Sequence, residues 1–431
     1  MQNSTFSNTS IDMIEVFSKD NTSKCIPMPR WTNKTKTIFT DLFNDIQTAN
    51  KYVEMRKKDK GSRFYNITIQ TISQRSTMPR PSTFNMSSLP DKIRTCVENE
   101  TTGFIEYSTK IHKKTFKVFF FVYDIDPIKH VERFSLYFER MVQWMHIAYK
   151  YGSSKCGNDL TVYVYMTPYK KFLPNNNIDK IGQDHANTAF TYSCPSKNSE
   201  IVIYREEEWF KVFIHETFHL MALDFSDANA EELCKQKMKK KFPIKSDFRL
   251  YETYTETWAV IIHTCMCAYF CFEDTHKIEP FIQTVKFLLG FETLFKLFQM
   301  SKIISFMGLD FSLLTLKTKE AQVARDTLYN EDTNVFAYHI ATTLLLSNYV
   351  TFLEWCDDHN FTFRMSFHST RPNIERFCDF VIDRHDSEYT QKIIKKMYDN
   401  NCYDKIIENV NSNKEKAFVE TTMRMTICEM R

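Results

Sequence analysis

Glycine is scarce in this chain, with only 7 in 431 residues, against a usual share of ~7 %. Phenylalanine is abundant at 38 and tyrosine at 21. Glycine needs G/C-rich codons and these aromatics A/T-rich ones, so the imbalance reads as the bias of an A/T-rich genome and not as chemistry. None of the 12 cysteines forms a C-x-x-C pair, which removes support for a structural zinc knuckle. Cys265, Cys267 and Cys271 sit in an apolar helical stretch, where cysteine packs as a small hydrophobe. The first residues, Met1 to Phe6, lack a basic region followed by an apolar one, so no secretory leader is expected. Sequons at Asn3, Asn21, Asn66 and Asn360 are what an Asn-rich chain produces by chance. Reduced thiols in a cytoplasmic setting follow as the expectation. No run is suited to crossing a membrane. Residues 259–272 are too few and carry His263, and residues 336–355 are interrupted by His339, Asn348 and Glu354. There is no internal repeat, and the net charge of +3 is unremarkable, so no nucleic-acid partner is expected.

What is present is His215-Glu216-Thr217-Phe218-His219. Residues four apart on an α-helix lie about 40° apart around its axis, so two imidazoles share a face and can reach one zinc ion. Glu216 falls beside them, where it can hold a metal-bound water and take its proton. The context supports a buried helix: 200–204 reads as a strand, Glu206, Glu207 and Glu208 suit a helix N-terminus, and Trp209, Phe210, Val212, Phe213, Ile214, Phe218 and Leu220 are apolar. Two buried histidines and a buried glutamate would be costly without a cation.

A catalytic zinc usually has three protein ligands and one open position. Tyr251-Glu252-Thr253-Tyr254-Thr255-Glu256-Thr257-Trp258-Ala259 runs into an apolar stretch and reads as a second buried helix. Glu252 and Glu256 share a face, and two acids on a buried face need a cation or donors. One can bind metal while the other accepts the far N–H of a ligand histidine and fixes its tautomer. The pattern resembles the gluzincin metallopeptidases, in which H-E-x-x-H is followed on a later helix by a zinc-binding Glu. That resemblance implies Glu252 as the ligand and Glu256 as the supporting carboxylate. The reverse order stays open, because Glu256-x-x-Ala259 also fits the looser pattern. A metzincin would need Gly at 222 and His or Asp at 225, whereas the chain has Ala222 and Phe225. Asp224 reads as a cap at the end of the active-site helix.

Asn187-Thr188-Ala189-Phe190-Thr191, the stretch from Tyr204 to Ile214, and Leu223-Asp224-Phe225-Ser226 resemble uncharacterised zincin-like proteins of large nucleocytoplasmic DNA viruses. That likeness implies a viral origin and no particular substrate. The expected activity is hydrolysis of a peptide or protein substrate through a zinc-bound water activated by Glu216. Tyr251, Tyr254, Tyr338 and His339 are the candidates for a second oxyanion donor, with Tyr338 and His339 preferred by the gluzincin resemblance. The alternative is a noncatalytic zincin-fold viral structural or interaction protein that binds zinc; an intact Glu216 favours catalysis.

The expected fold is α+β: a zincin-like catalytic domain, with a mixed sheet plus active-site helix, and a mostly helical C-terminal region. Residues 1–30 are polar and expected to be loose. Residues 31–110 form an N-terminal α/β region with a helix over 35–56, a strand over 63–73 and a Pro-bearing linker over 76–90. Residues 111–275 form the catalytic core, with strands over 114–123 and 160–166, a helix over 132–151, and an edge strand at 188–193 or 200–204 placed to bind extended peptide. Residues 276–431 are helical, with Phe281, Val285, Leu288, Phe291, Leu294, Phe295 and Phe298 on an apolar face. The basic run of Lys235, Lys237, Lys239, Lys240 and Lys241 reads as a solvated helix end between the two zinc helices, a contact for acidic substrate or nucleic acid being the minor reading.

Overall fold

A computed structural model describes residues 5–19, 22, 25–61, 63–272, 277–360, 364–399 and 402–431. Asn3 and Asn21 lie outside them. The chain divides into two compact units, one of residues 41–170 and 188–223, the other of residues 1–40, 171–187 and 224–431.

The first unit is built on a six-stranded mixed sheet in the order β1-β2-β3-β4-β6-β5. Its elements along the chain are β1 (Asn66–Thr71), α1 (Asp91–Glu100), β2 (Gly103–Ile111), β3 (Lys114–Val122), α2 (Val131–Tyr151), β4 (Leu160–Val164), β5 (Ala189–Thr191), β6 (Glu200–Ile203) and α3 (Trp209–Leu220). β1, β2 and β3 pair antiparallel, β3, β4 and β6 run parallel, and β5 closes the edge antiparallel to β6. β3 explains the layering, because successive side chains of a strand point to opposite faces. Phe119 and Phe121 join Phe104, Tyr163, Tyr165 and the α1 residues Ile93 and Val97 in one core. Phe116 and Phe120 meet α2 on the other face, with ring centroids 5.5 Å from Phe138 and 4.6 Å from Phe134 respectively. The β2–β3 turn is two residues, His112 and Lys113, at φ 48° and 71°. Both centres of such a tight hairpin need positive φ; this glycine-poor chain uses a histidine and a lysine there.

The second unit is helical. Its principal helices are α4 (Glu231–Lys241), α5 (Leu250–Phe270), α6 (Ile278–Phe306) and α7 (Arg371–Asp386), with a π-helical turn at Phe336–Ala341. The expected apolar face of α6 is buried. So, against expectation for an apolar helix, are Glu292, Lys296, Gln299 and Lys302. Glu292 accepts from the backbone N–H groups of Ile427 at 3.2 Å and Cys428 at 3.0 Å. Gln299 donates to the carbonyls of Thr422 and Arg424, and Lys302 to those of Val419 and Thr422. A polar row on α6 thus fixes the chain's last described segment, satisfying groups that burial would otherwise penalise.

The mixed α+β class is as expected; several details differ. Residues 8–18, expected to be loose, form a helix (Asn8–Ser18) that buries Met13, Val16 and Phe17 and is capped by the Ser7 hydroxyl. Three apolar residues at helical spacing suffice against a polar background. The division at 110 and 275 is not that of the two units. Of the linker 76–90, Met78 and Leu89 enter the core of the sheet unit. β2 was not foreseen. Of the two edge candidates, β5 is the edge and β6 is interior. Cys156 and Cys194, expected to be reduced, are bonded to each other, and the other described cysteines are free. Among the described residues no helix is long and apolar enough to cross a membrane.

Candidate metal centre

The motif helix α3 is buried along its whole length. It begins after Glu208, whose φ of 61° puts it in the left-handed region, so Glu206–Glu208 form the turn into the helix and not its first turn. Two groups from the sheet unit hold α3 in rotation. Trp144 of α2 donates its indole N–H to the Thr217 hydroxyl at 2.5 Å and lies parallel to the Phe218 ring. Ser193, just past β5, donates to the His219 carbonyl at 3.1 Å. With Thr217 and Phe218 turned toward α2, His215 and His219 share another face. Their Nε2 atoms are 3.1 Å apart, and both side chains are buried, as is Glu216.

Glu252 lies in the first turn of α5, its N–H on the Arg249 carbonyl at 3.0 Å. One carboxylate oxygen accepts from the Tyr338 hydroxyl at 3.1 Å and the other faces the Asn334 amide at 3.4 Å. Glu256, one turn on, meets a different partner: the Lys296 ammonium of α6 at 3.2 Å, with both side chains buried. Lys296 also donates to the Tyr338 carbonyl at 3.3 Å. Ligand atoms of His215, His219 and Glu252 all lie within 4.8 Å of one another, a group of residue types able to hold a metal ion. Glu256 is not in that group.

The other candidates are placed as follows. The Tyr338 hydroxyl is engaged by Glu252. His339 is fully buried, and neither ring nitrogen has a hydrogen-bond partner. Burial, then the ammonium of Lys296, holds its pKa well below the usual imidazole value, so it is a neutral ring. Tyr254 donates to the Met365 carbonyl at 3.0 Å, which makes it part of the helical core. Burial raises the Tyr251 phenol above its usual pKa. Asp224 accepts from Ser226 and, at 3.1 Å, from Thr255, the capping role expected of it. Sequence reasoning missed Asn334, Lys296 and Trp144. Lys296 carried a signal, a lone cation within the apolar periodicity of α6; Asn334 carried none. No protein-family model, curated protein or solved structure matches this chain.

Proposed function

We propose that this chain is a zinc-dependent metallopeptidase with a zincin-like catalytic domain, in which His215, His219 and Glu252 hold the metal and Glu216 is the general base. The observation that supports this most is the buried imidazole pair, its Nε2 atoms 3.1 Å apart, with the Glu252 carboxylate in the same group. Ligand nitrogens about 2.1 Å from a tetrahedral zinc are about 3.4 Å apart, so the pair needs little adjustment. Two histidines and one glutamate form a donor set of catalytic zinc, leaving a position open for substrate. Zinc bound there would make a water acidic and polarise the scissile carbonyl.

The chain's own groups do the rest. Glu216, on the helix that carries both histidines, takes a proton from the attacking water and passes it to the leaving amine. Tyr338 and Asn334 fix the orientation of the Glu252 carboxylate, as hydrogen bonds to a metal ligand generally do. Lys296 neutralises Glu256, so the second acid on α5 adds no uncompensated charge. The edge strand β5 has one side free of strand pairing and can take an extended peptide by strand addition. A cytoplasmic location, expected from the absent leader, stands against the Cys156–Cys194 bond, because disulfides persist mainly in oxidising compartments. The redox state of that pair in protein taken directly from cytosol decides the point.

The test is zinc analysis joined to a Glu216→Gln comparison on an unbiased peptide mixture. The reading predicts one zinc per chain in both proteins and cleavage by the parent alone. Zinc in both with cleavage by neither assigns the noncatalytic, zinc-binding alternative. Equal cleavage by both, or no zinc in either, overturns the catalytic assignment.

A further inference from the structure

The lysine run of α4 is sorted by the helix into two faces. Lys237 and Lys241, four apart, pair with Asp379 and Asp386 of α7, Lys237 at 2.7 Å. These hold the two helices together. Lys235 and Lys239, also four apart, turn the other way and line a pocket of about 530 Å³ with Lys245 and Arg249. Three acids share that lining, Asp247, Glu331 and Asp332. Lys235 is matched by Asp247 at 3.2 Å, and Arg249 lies 4.0 Å from Asp247. Lys245 is held by the Asp326 carbonyl at 2.9 Å. Lys239 is exposed and has no hydrogen-bond or ion-pair partner among the described residues. Burial pushes the Glu331 carboxyl up to about 7, so near neutral pH one of the three acids is partly uncharged and cations outnumber anions.

The pocket is a built feature and not a gap between mobile side chains. Its far wall, from residues 183–187, is tied down by Asp332 N–H to the Ile181 carbonyl at 3.0 Å and by Thr333 to Asn187 at 3.0 Å. It also adjoins the proposed metal ligand. Asn334 lines the pocket and faces Glu252, and Arg249 lines it while its carbonyl receives the Glu252 N–H.

We propose that this pocket binds a carboxylate of the peptide substrate, giving the enzyme a preference for acidic peptides. This rests on the peptidase reading, but its recognition step needs no metal. The ammonium of Lys239 and the guanidinium of Arg249 are the groups that meet the carboxylate, Arg249 offering a planar pair of donors. Lys245 adds charge at the rim.

The experiment uses the full-length Glu216→Gln protein with fluorescent hexaglutamate and hexaglutamine peptides, each amidated or free at the C-terminus, with and without chelator. The proposal predicts that hexaglutamate binds at least about tenfold tighter in either medium, with the difference shrinking in salt. It also predicts that Lys239→Glu alone lowers the preference, and that with Lys245→Glu it is abolished while the melting temperature holds. Preference that survives amidation assigns side-chain carboxylates; preference only for free C-termini assigns the terminal carboxylate. Equal binding of both sequences, or displacement of hexaglutamate by a short oligonucleotide that itself binds tighter, overturns the proposal. The two readings fail separately: acidic binding without cleavage by the zinc-loaded parent removes the peptidase, and cleavage without acidic preference removes the pocket.

Discussion

The two units bury charge in different ways. In the sheet unit the acid Glu200 opens the interior strand β6 and is held without a cation. The N–H groups of Ser82 and Thr83 approach its oxygens at 2.8–3.0 Å, and the hydroxyl groups of both residues donate as well. In the helical unit, the single helix α6 buries Glu292, Lys296 and Lys302 at helical spacing. One of them pairs with Glu256, and the other two fix the C-terminal segment. A loop backbone satisfies the first kind of charge locally. The second kind depends on partners some 40 to 136 positions away, so it specifies how helices pack as well as stabilising them.

Breaking this contrast should show its largest effect at Lys296. Removing one member of a buried pair costs about 3–5 kcal/mol, while replacing both by apolar residues costs little. Lys296→Met is therefore expected to lower unfolding stability by that amount in urea, and Lys296→Met with Glu256→Leu to recover most of it. A double variant no more stable than the single would show that the pair is not the reason. In the sheet unit the corresponding long-range constraint is covalent. Cys156–Cys194 spans 38 residues, a loop whose closure is worth about 4 kcal/mol in the chain-entropy model and typically about 2–4 in practice. Cys156→Ser with Cys194→Ser should lower the urea midpoint accordingly, and reductant should then have no further effect.

A smaller effect is expected at Glu200. Burial alone would raise its pKa, but the donors from Ser82 and Thr83 outweigh it and hold the carboxyl below its usual value. Its stabilisation is thus fully present above the unfolded pKa of about 4.3 and is lost as pH falls through the lower folded value. Glu200→Gln should cost about 1–3 kcal/mol at neutral pH and flatten the acid limb of the stability curve; an unchanged limb would contradict this. The smallest effect belongs to the half-exposed Lys237–Asp379 pair. Lys237→Ala should cost under about 1 kcal/mol, measured by thermal melting.

The same contrast marks what could be read from the residues. The strand β3, the helix α2 and the motif helix were legible because their patterns are local: aromatic alternation, helical spacing of Phe134, Met141 and Trp144, and two histidines four apart. The helix Asn8–Ser18 was hidden by polar neighbours. β2 alternates buried Ile105, Tyr107 and Ile111, a period-two signal that Glu106, Ser108 and Lys110 accompany and that was readable. In the candidate centre, His215, Glu216, His219 and the two acids of α5 were visible by spacing. Which acid faces which partner was not, because Lys296, Asn334 and Tyr338 come from distant segments that no local pattern links. Tyr338 was named for its chemistry and is found donating to Glu252. The disulfide was missed because a separation of 38 residues has no signature in a chain with 12 cysteines.

The most direct measurement is competitive zinc titration of the parent against Glu252→Gln and Glu256→Gln, each checked for an intact fold by circular dichroism. The account predicts tight 1:1 binding by the parent, a loss of about 100-fold or more when Glu252 is changed, and a much smaller loss for Glu256. Unchanged zinc affinity in the Glu252 variant, or a loss confined to the Glu256 variant, would contradict it.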